Sequence, residues 1–333
     1  MWWKQTSKDS DVVVSTRIRF ARNLKGYKFP NTMDLKQANE VIDKIDNAID
    51  KSKYNLFRMK DIDKVNRYSL IEQHIISKEF ADNIENGAII TNKDNSIVTM
   101  INEEDHLRMQ SFESGLNVEE CYDKLLEFCN QLGQKLEYAT NPDYGYITAC
   151  PTNVGSGMRV SVMLHLPALA KVGYLSQLLE EVSNMGLAVR GLYGENTTGY
   201  GNMYQISNQE TLGEYDSEII YRIKAVVLSI IEQERKARKI LQKNSIKLED
   251  EVYRTYGILK NARLMSEKEA IEYLSLIRLG VAMGIINKIS LDKIQTLIIE
   301  SSCNTLRILL KNNLEDEYDE DLKRAEYIRK EIG

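Results

Sequence analysis

The chain has 333 residues, of which 43% are hydrophobic and 28% are charged, and its formal net charge is −5. These proportions are typical of a globular protein with about two domains and enough apolar side chains for real cores. The small negative charge creates no global basic field, so we expect neither nucleic acid nor an anionic membrane surface as a partner. No apolar run reaches the ~18 residues of a transmembrane helix, and none follows a cationic start.

The cysteines and histidines are too dispersed to indicate a metal centre. Four cysteines occur, at positions 121, 129, 150 and 303, and no pair has C-x-x-C spacing. This pattern argues against structural zinc, and the sequence predicts no protein-ligated metal. Together with the lack of a signal segment, it leads us to expect a cytoplasmic protein with reduced thiols.

The first hundred residues combine one helix pattern with several strand patterns. Residues 34–53 carry apolar side chains at spacings of three and four, which predicts an amphipathic helix. Segments 67–76, 88–91 and 96–101 are short and rich in β-branched or apolar residues, which favours strands. The sequence Asn-Lys-Asp-Asn between the last two is typical of a hairpin.

The middle of the chain mixes both patterns, and one long helix follows. We predict a helix over 118–136, strands around 145–150 and 159–166, a helix over 168–185, and strands over 187–193 and 202–207. Residues 216–241 give the strongest helix pattern, with one apolar stripe that indicates core packing.

The grouping of these elements indicates the fold class. The strands are clustered rather than alternating regularly with helices, so the first part is predicted to be α+β. The best boundary is Asn244-Ser245, and the residues after it are almost entirely helical in pattern and contain no proline. We therefore predict a catalytic domain over 10–243 and a small all-helical domain over 245–333.

Five arginines next to apolar runs are the first functional signal. Arg17 and Arg19 project from the same face of an extended segment, and Arg108, Arg159 and Arg190 border other strand-like runs. Each arginine taken alone is most simply a surface ion pair. Taken together they suit a polyphosphate, because guanidinium groups grip phosphate oxygens bidentately and stay charged. The chain has neither a P-loop motif nor the motifs of ordinary protein kinases.

An acidic triplet and a cysteine are the second signal. Glu103-Glu104-Asp105 follows the apolar run Val-Thr-Met-Ile, where a carboxylate could hold a guanidinium group and accept its proton. A solvated turn is the simpler interpretation of three adjacent acids, and a small buried side chain is the simpler one of Cys150. Arg159 nearby would favour the Cys150 thiolate, since positive charge lowers a cysteine pKa.

A glycine-rich segment at residues 194–201 contains one more candidate carboxylate. Glu195 lies in Gly-Glu-Asn-Thr-Thr-Gly-Tyr-Gly, whose glycines and small polar residues predict a mobile loop. Closure of such a loop could bring Glu195 to the substrate.

Four motifs together carry a family resemblance. The chain contains S-T-R-I-R, N-E-E-D-H-L-R, C-P-T-N-V-G-S-G-M-R and R-G-L-Y-G-E in this order. In this combination it resembles the phosphagen (guanidino) kinase family, and within it the bacterial members that phosphorylate arginine side chains of proteins. The resemblance implies a largely antiparallel sheet flanked by helices, followed here by a small all-helical C-terminal domain.

The resemblance also implies roles for individual residues. Glu104 would be the catalytic carboxylate with Glu103 beside it, Glu195 the second carboxylate and Cys150 the reactive cysteine. ATP and Mg²⁺ would be the cofactors. The nucleotide-binding set implied by the motifs is Ser15, Thr16, Arg17, Ile18, Arg19, His74, Arg108, Arg159, Val160, Ser161, Val162, Met163, Arg190, Gly191, Leu192, Tyr193, Gly194 and Glu195.

The implied substrates are proteins with exposed arginines. Family members that act on small molecules carry a helical domain before the first arginine motif, which here begins at Ser15, so we expect an open acceptor site. The resemblance further implies a role in stress response and protein quality control, with clients marked for Clp-type proteolysis. The partners it suggests are a zinc-binding activator of the McsA kind, a ClpC-type unfoldase and a second copy of the chain. The alternatives are a small-molecule guanidino kinase and a non-catalytic adaptor for a Clp protease.

One motif near the C-terminus departs from the family pattern. Asp321 and Arg324 match residues that resemble a phosphoarginine-binding allosteric pocket, but Glu320 stands where the pattern has arginine. This reversal of charge would repel a phosphoryl group, so it argues against allosteric activation by phosphoarginine.

Overall fold

A computed structural model of the chain describes residues 1–191, 200–311, 314 and 316–333. Within these residues eight strands form one antiparallel sheet in the order β2-β3-β4-β5-β1-β8-β10-β9, and β6 and β7 form a separate hairpin. The strands are β1 Val13–Arg22, β2 Tyr54–Arg58, β3 Ala88–Asn92, β4 Ile97–Ile101, β5 Leu107–Ser114, β6 Thr140–Asn141, β7 Gly145–Tyr146, β8 Met158–His165, β9 Leu187–Gly191 and β10 Met203–Asn208.

Helices cover one face of the sheet and make up most of the chain after β10. They are α1 Leu35–Ala48, α2 Lys64–Glu72, α3 Lys78–Asp82, α4 Val118–Gly133, α5 Pro167–Lys171, α6 Leu175–Asn184, α7 Asp216–Gln242, α8 Ser245–Asn261, α9 Glu267–Ala282, α10 Leu291–Glu300, α11 Cys303–Leu310 and α12 Glu317–Ile332. Among the helices of the described residues, none has the length and apolar character needed to cross a bilayer.

The central strands β1 and β8 present alternate residues to opposite sides of the sheet. Ile18, Phe20, Val160 and Val162 are fully buried on the side that packs against α4 and α7. The intervening residues of both strands point to the other side, where the polar cavities described below are found. The sheet therefore has one apolar face and one face available for chemistry.

The C-terminal helices, α8 to α12, return to the sheet rather than forming a detached unit. Ser275 on α9 donates a hydrogen bond of 2.7 Å to the carbonyl of Gly201, and its hydroxyl lies 2.8 Å from Nε2 of His165 at the end of β8. Arg278 on the same helix donates at 2.7 Å to the carbonyl of Ser10, just before β1. Apolar residues of both parts belong to one continuous buried core.

The predicted α+β class and antiparallel sheet are confirmed, as is the long helix, which the structure has at Asp216–Gln242. The strand predicted over 67–76 is wrong, because most of it lies in α2. Asp63 caps this helix by accepting a hydrogen bond of 3.0 Å from the Asn66 N–H. Its apolar residues pack under α11 rather than alternating across a sheet.

Two other predicted elements differ in extent. The helix predicted over 168–185 is two helices, α5 and α6, because Gly173 has a φ of +81° that interrupts the helical path. The strand predicted around 145–150 is limited to Gly145–Tyr146. The sequence patterns did not indicate β2 or β5.

Candidate active site

Two adjoining cavities lie on the polar face of the sheet. The arginine cavity, with a volume of about 270 Å³, is lined by Val14, Ser15, Arg17, Arg19, His74, Phe112, Ser161, Met163, Arg190, Gly191, Met203, Gln205, Gln295, Ile298 and Ile299. The carboxylate cavity, with a volume of about 250 Å³, is lined by Arg19, Phe20, Ala21, Glu104, Asp105, Arg108, Cys150, Thr152, Asn153, Gly157, Arg159 and Arg190. Arg19 and Arg190 line both cavities, so a ligand in either one would lie beside the same two arginines.

Strand alternation decides which of the predicted nucleotide-binding residues reach the cavities. Of the predicted residues on β1 and β8, those with odd numbers line the cavities, and these are Ser15, Arg17, Arg19, Arg159, Ser161 and Met163. The four with even numbers, Thr16, Ile18, Val160 and Val162, do not line them and are buried on the opposite face. The hydroxyl of Thr16, for instance, donates at 2.7 Å to the carbonyl of Gly115.

The arginine cavity concentrates positive charge on half-buried side chains. Burial, together with repulsion from Arg108, Arg159 and Arg190, lowers the pKa of Arg17 to about 9. Burial and the neighbouring arginines lower the pKa of Arg19 as well. Guanidinium groups keep their charge in proteins, so the cluster carries an unfavourable energy that a polyanion would relieve.

Hydrogen bonds from the adjacent strand hold two of these arginines in place. Arg17 Nη2 donates at 2.8 Å to Oε1 of Gln205 on β10. Arg159 donates through Nη2 at 2.9 Å and through Nε at 3.2 Å to the buried hydroxyl of Ser207 on the same strand. Sequence reasoning missed both partners, because only the β8–β10 pairing brings them beside the arginines.

Glu103 is directed at Arg108 and is not among the residues that line the carboxylate cavity. Its Oε1 accepts hydrogen bonds from Arg108 Nη1 at 2.5 Å and from the Ser77 hydroxyl at 2.9 Å, and its Oε2 accepts one from the Glu104 N–H at 2.9 Å. Burial opposes ionisation, but Arg108 and these donors keep the pKa of Glu103 below its ordinary value. Glu103 therefore fixes Arg108 as a charged partner.

Glu104 lies at the exposed rim of the carboxylate cavity. Partial burial of its carboxyl group and repulsion from Asp105 and Glu103 raise the pKa of Glu104. Arg108 and a hydrogen bond from the Cys150 thiol oppose this rise. A carboxylate with a raised pKa is a better proton acceptor once it is ionised.

Asp105 ties the cysteine loop to the sheet. Its Oδ1 accepts hydrogen bonds of 2.7 Å from the Ala149 N–H and 2.6 Å from Asn23 Nδ2. Asn23 in turn accepts the His106 N–H at 2.9 Å, so the end of β1 and the acidic segment are joined. The sequence indicated Asp105 only as one of three adjacent acids and gave no sign of Asn23.

The cysteine loop itself is compact and leaves the thiol at the cavity. Cys150 Sγ lies 3.0 Å from the Thr152 hydroxyl, and a 3-10 helix at Pro151–Asn153 follows it. Gly157 has a φ of +63°, and a Cβ atom there would come within 2.8 Å of the Ala21 carbonyl oxygen. The loop can therefore approach β1 this closely only with glycine at that position.

His74 stands in the wall of the arginine cavity at the end of α2. Burial and the nearby Arg17 lower the pKa of His74 to about 4. The imidazole is therefore neutral at physiological pH and can donate or accept one hydrogen bond without adding charge.

The last five predicted nucleotide-binding residues are consecutive, and the first of them, Gly191, lines the arginine cavity. The other four, Leu192, Tyr193, Gly194 and Glu195, lie outside the described residues.

The two residues of the predicted phosphoarginine pocket lie on α12, away from both cavities. Arg324 is buried and donates to the carbonyls of Ser301 at 2.8 Å and Met265 at 2.9 Å, and to Asp321 at 2.7 Å. Glu320 accepts a hydrogen bond of 2.5 Å from Arg307. These bonds give Arg324 and Glu320 structural partners within the C-terminal helices.

This arrangement has a defined chemical capacity. One cavity offers fixed cationic groups for a polyphosphate, and the other offers a carboxylate and a thiol for a cationic acceptor. The shared arginines lie where the two ligands would meet. Such a site is suited to transfer of a phosphoryl group by positioning and electrostatic stabilisation.

Comparison with known proteins agrees with this chemistry. The family model of the ATP:guanido phosphotransferase C-terminal catalytic domain matches residues 36–237, and that of the protein-arginine kinase McsB C-terminal domain matches residues 245–333. A protein-arginine kinase of Caldanaerobacter subterraneus subsp. tengcongensis is 41% identical, over 98% of this chain and 98% of its own length. One of Clostridium acetobutylicum is 39% identical, over 99% of each.

A solved structure supports the same grouping. The duplicated taurocyamine kinase from Schistosoma mansoni, with bound transition-state-analogue components, matches with a TM-score of 0.61 at 29% identity. The match covers 68% of this chain and 33% of that longer one. The family predicted from the four sequence motifs is thus confirmed, and the chain belongs to the ATP:guanido phosphotransferases, on their protein-arginine kinase branch.

Proposed function

We propose that this protein transfers the γ-phosphoryl group of ATP to arginine side chains of proteins. One observation carries the proposal: a half-buried arginine cluster and an exposed carboxylate occupy adjoining cavities that share Arg19 and Arg190. The cluster suits the triphosphate, and the carboxylate suits a guanidinium acceptor. The shared arginines would stabilise the charge on the phosphoryl group as it passes between them.

Glu104 is the proposed catalytic base. An arginine guanidinium has a pKa above ~12, so a proton must leave the attacking nitrogen as the new N–P bond forms. Glu104 would hold this group through hydrogen bonds and accept the proton, while the leaving oxygen remains on the nucleotide diphosphate. Cys150 would complete the wall around the guanidinium and act through its hydrogen bond with Glu104 rather than as a covalent nucleophile. Glu195 remains the predicted second carboxylate.

Magnesium fits this site as a companion of the nucleotide. Within the described residues, no group of three or more histidine, cysteine or acidic side chains could hold a metal ion. Mg²⁺ is commonly bound by substrate phosphates, water and one or two carboxylates, and the acids beside the arginines provide such oxygens. When bound, the ion would neutralise charge on the β- and γ-phosphates.

A protein substrate is favoured over a small guanidine by the rim of the carboxylate cavity. In the described part of the chain, Glu104 and Thr152 line this cavity and are exposed. A side chain that projects from a polypeptide could thus reach Glu104 without being enclosed. We extend the proposal to a cytoplasmic role in protein quality control, with a zinc-binding activator of the McsA kind, a ClpC-type unfoldase and a homodimer as its partners.

The test compares acceptors directly. The protein is incubated with Mg-ATP and either an unfolded arginine-rich protein or free arginine, and acid-labile phosphoarginine is measured by phosphorus NMR and mass spectrometry. We expect phosphoarginine on the protein and none above background on the amino acid, with Glu104→Gln as the inactive control. Phosphorylation of free arginine alone would favour the small-molecule kinase, and ATP-dependent modification of neither would favour the adaptor.

A further inference from the structure

Helix α10, which lies in the C-terminal part of the chain, forms one wall of the arginine cavity. Gln295, Ile298 and Ile299 of this helix line the cavity together with residues of β1, β8 and β10. None of the three belongs to the sequence motifs that indicated the active site. The wall is therefore a feature that only the three-dimensional structure reveals.

The strand register distinguishes the two ends of the arginine cavity. Arg19 pairs with Arg159 across β1 and β8, and Ser15 pairs with Met163 four residues further along. At ~3.3 Å per residue, these two pairs lie roughly 13 Å apart. The Arg19 end adjoins the carboxylate cavity and would hold the γ-phosphate. An extended nucleotide would then place its base at the Ser15–Met163 end.

The base end has the composition of a nucleobase pocket. Its apolar residues include Val14, Met163 and Met203, and Ile298 and Ile299 of α10 add apolar surface to the same cavity. These side chains offer flat apolar contact to an aromatic ring, as small-molecule sites commonly do. Contacts of this kind hold a base without distinguishing one base from another.

Gln295 is the polar residue of the α10 wall. It is only 7% exposed, and in the described part of the chain its Oε1 atom has no hydrogen-bond partner. A buried polar group without a partner costs about 1–3 kcal/mol, so native structures seldom retain one that lacks a purpose. Gln295 lines the cavity, so a turn of its side chain would let a ligand there satisfy this acceptor.

We propose that Gln295 binds the adenine base of ATP by accepting a hydrogen bond from its exocyclic amino group. The side-chain amide can accept from that amino group and donate to the adjacent ring nitrogen, which is the bidentate pairing that glutamine makes with adenine. Gln295 is thus a specificity-determining residue supplied by the C-terminal helices. The inference rests on the proposed use of ATP as phosphoryl donor.

The test uses purine riboside triphosphate, an ATP analogue without the exocyclic amino group. For the wild-type protein we expect its KM to be about 5- to 30-fold above that of ATP, which corresponds to one buried hydrogen bond. In Gln295→Met, which keeps the length of the side chain, the KM for ATP should rise to that of the analogue. kcat should change little, because a contact with the base is made equally in the ground and transition states.

Two further variants complete the experiment. Gln295→Glu keeps an acceptor and should retain the preference for ATP, and Gln177→Leu on the exposed face of α6 should leave both KM values unchanged. A wild-type KM ratio near 1, or the wild-type ratio persisting in Gln295→Met, would overturn the inference whichever variants fold. Absence of turnover with either nucleotide in the wild-type protein would instead refute the proposed function.

Discussion

Glu103 and Glu104 are adjacent in sequence, but we propose that Glu104 accepts the proton whereas Glu103 positions Arg108. Substituting each glutamate separately distinguishes the two roles. Glu104→Gln removes the proton acceptor and keeps the shape, so kcat should fall by about 10²- to 10⁴-fold. The KM for ATP should be nearly unchanged, because Glu104 is not one of the cationic groups that would hold the phosphates.

Glu103→Gln should act through Arg108 instead. The amide oxygen can still accept from Ser77 and Arg108, but it offers a neutral partner in place of a charged one. A hydrogen bond with a charged acceptor contributes about 1.5–3 kcal/mol and a neutral one about 1 kcal/mol, so about 0.5–2 kcal/mol is lost. The N–H of the exposed Glu104 also loses its acceptor, but water can replace it. We expect the KM for ATP to rise about 2- to 30-fold and kcat to change much less.

Steady-state kinetics with an unfolded protein substrate measures both parameters, with thermal unfolding as a control for the fold. If Glu103→Gln lowers kcat as strongly as Glu104→Gln at an unchanged KM, then Glu103 takes part in the chemistry and the positioning role is wrong. If Glu104→Gln retains more than about a tenth of the wild-type kcat, a loss below the usual range for a general base, the assignment of Glu104 as the base is wrong.

Two other predictions concern groups that act on these residues. Only the carboxylate form of Glu104 can accept a proton, so activity should fall as pH drops through its pKa. Asp105→Asn, which removes a repelling charge, should therefore move this acid limb to lower pH, and Cys150→Ala, which removes a donor, should move it to higher pH. Identical profiles of kcat/KM against pH would contradict both shifts. Ser207→Ala removes the acceptor of two Arg159 bonds and should raise the KM for ATP about 5-fold, for a loss of about 1 kcal/mol. An unchanged KM would show that Ser207 does not orient Arg159.

The part of the site that could be predicted from sequence is the part built from local patterns. Two-residue alternation placed Arg17 and Arg19 on one face, and the structure has both in the arginine cavity. The same alternation excludes Thr16 and Ile18, which the motif alone could not separate from their neighbours. The motif thus identified the correct strand, and the alternation of side chains along that strand determines which of its residues line the cavity.

What the sequence could not predict depends on contacts between distant segments. Ser207 reaches Arg159 only through the pairing of β10 with β8, and Gln295 reaches the cavity only because α10 folds back over the sheet. The incorrect strand prediction over 67–76 also results from contacts that the sequence does not show. Its short apolar run resembles a strand, but Asp63 caps it and α11 packs over it as a helix.

The arginines shared by the two cavities also have a kinetic consequence. Before a triphosphate binds, an incoming guanidinium group would face Arg19, Arg159 and Arg190 at short range, with Glu104 as its main attraction. Like charges at this distance repel, and partial burial strengthens the effect. If the nucleotide binds first, its negative charge reverses the sign of the electrostatic field in the cavity. The nucleotide then serves as the counter-ion of the incoming guanidinium group. The enzyme would therefore engage its clients in a preferred order, and without ATP it would leave their arginines free.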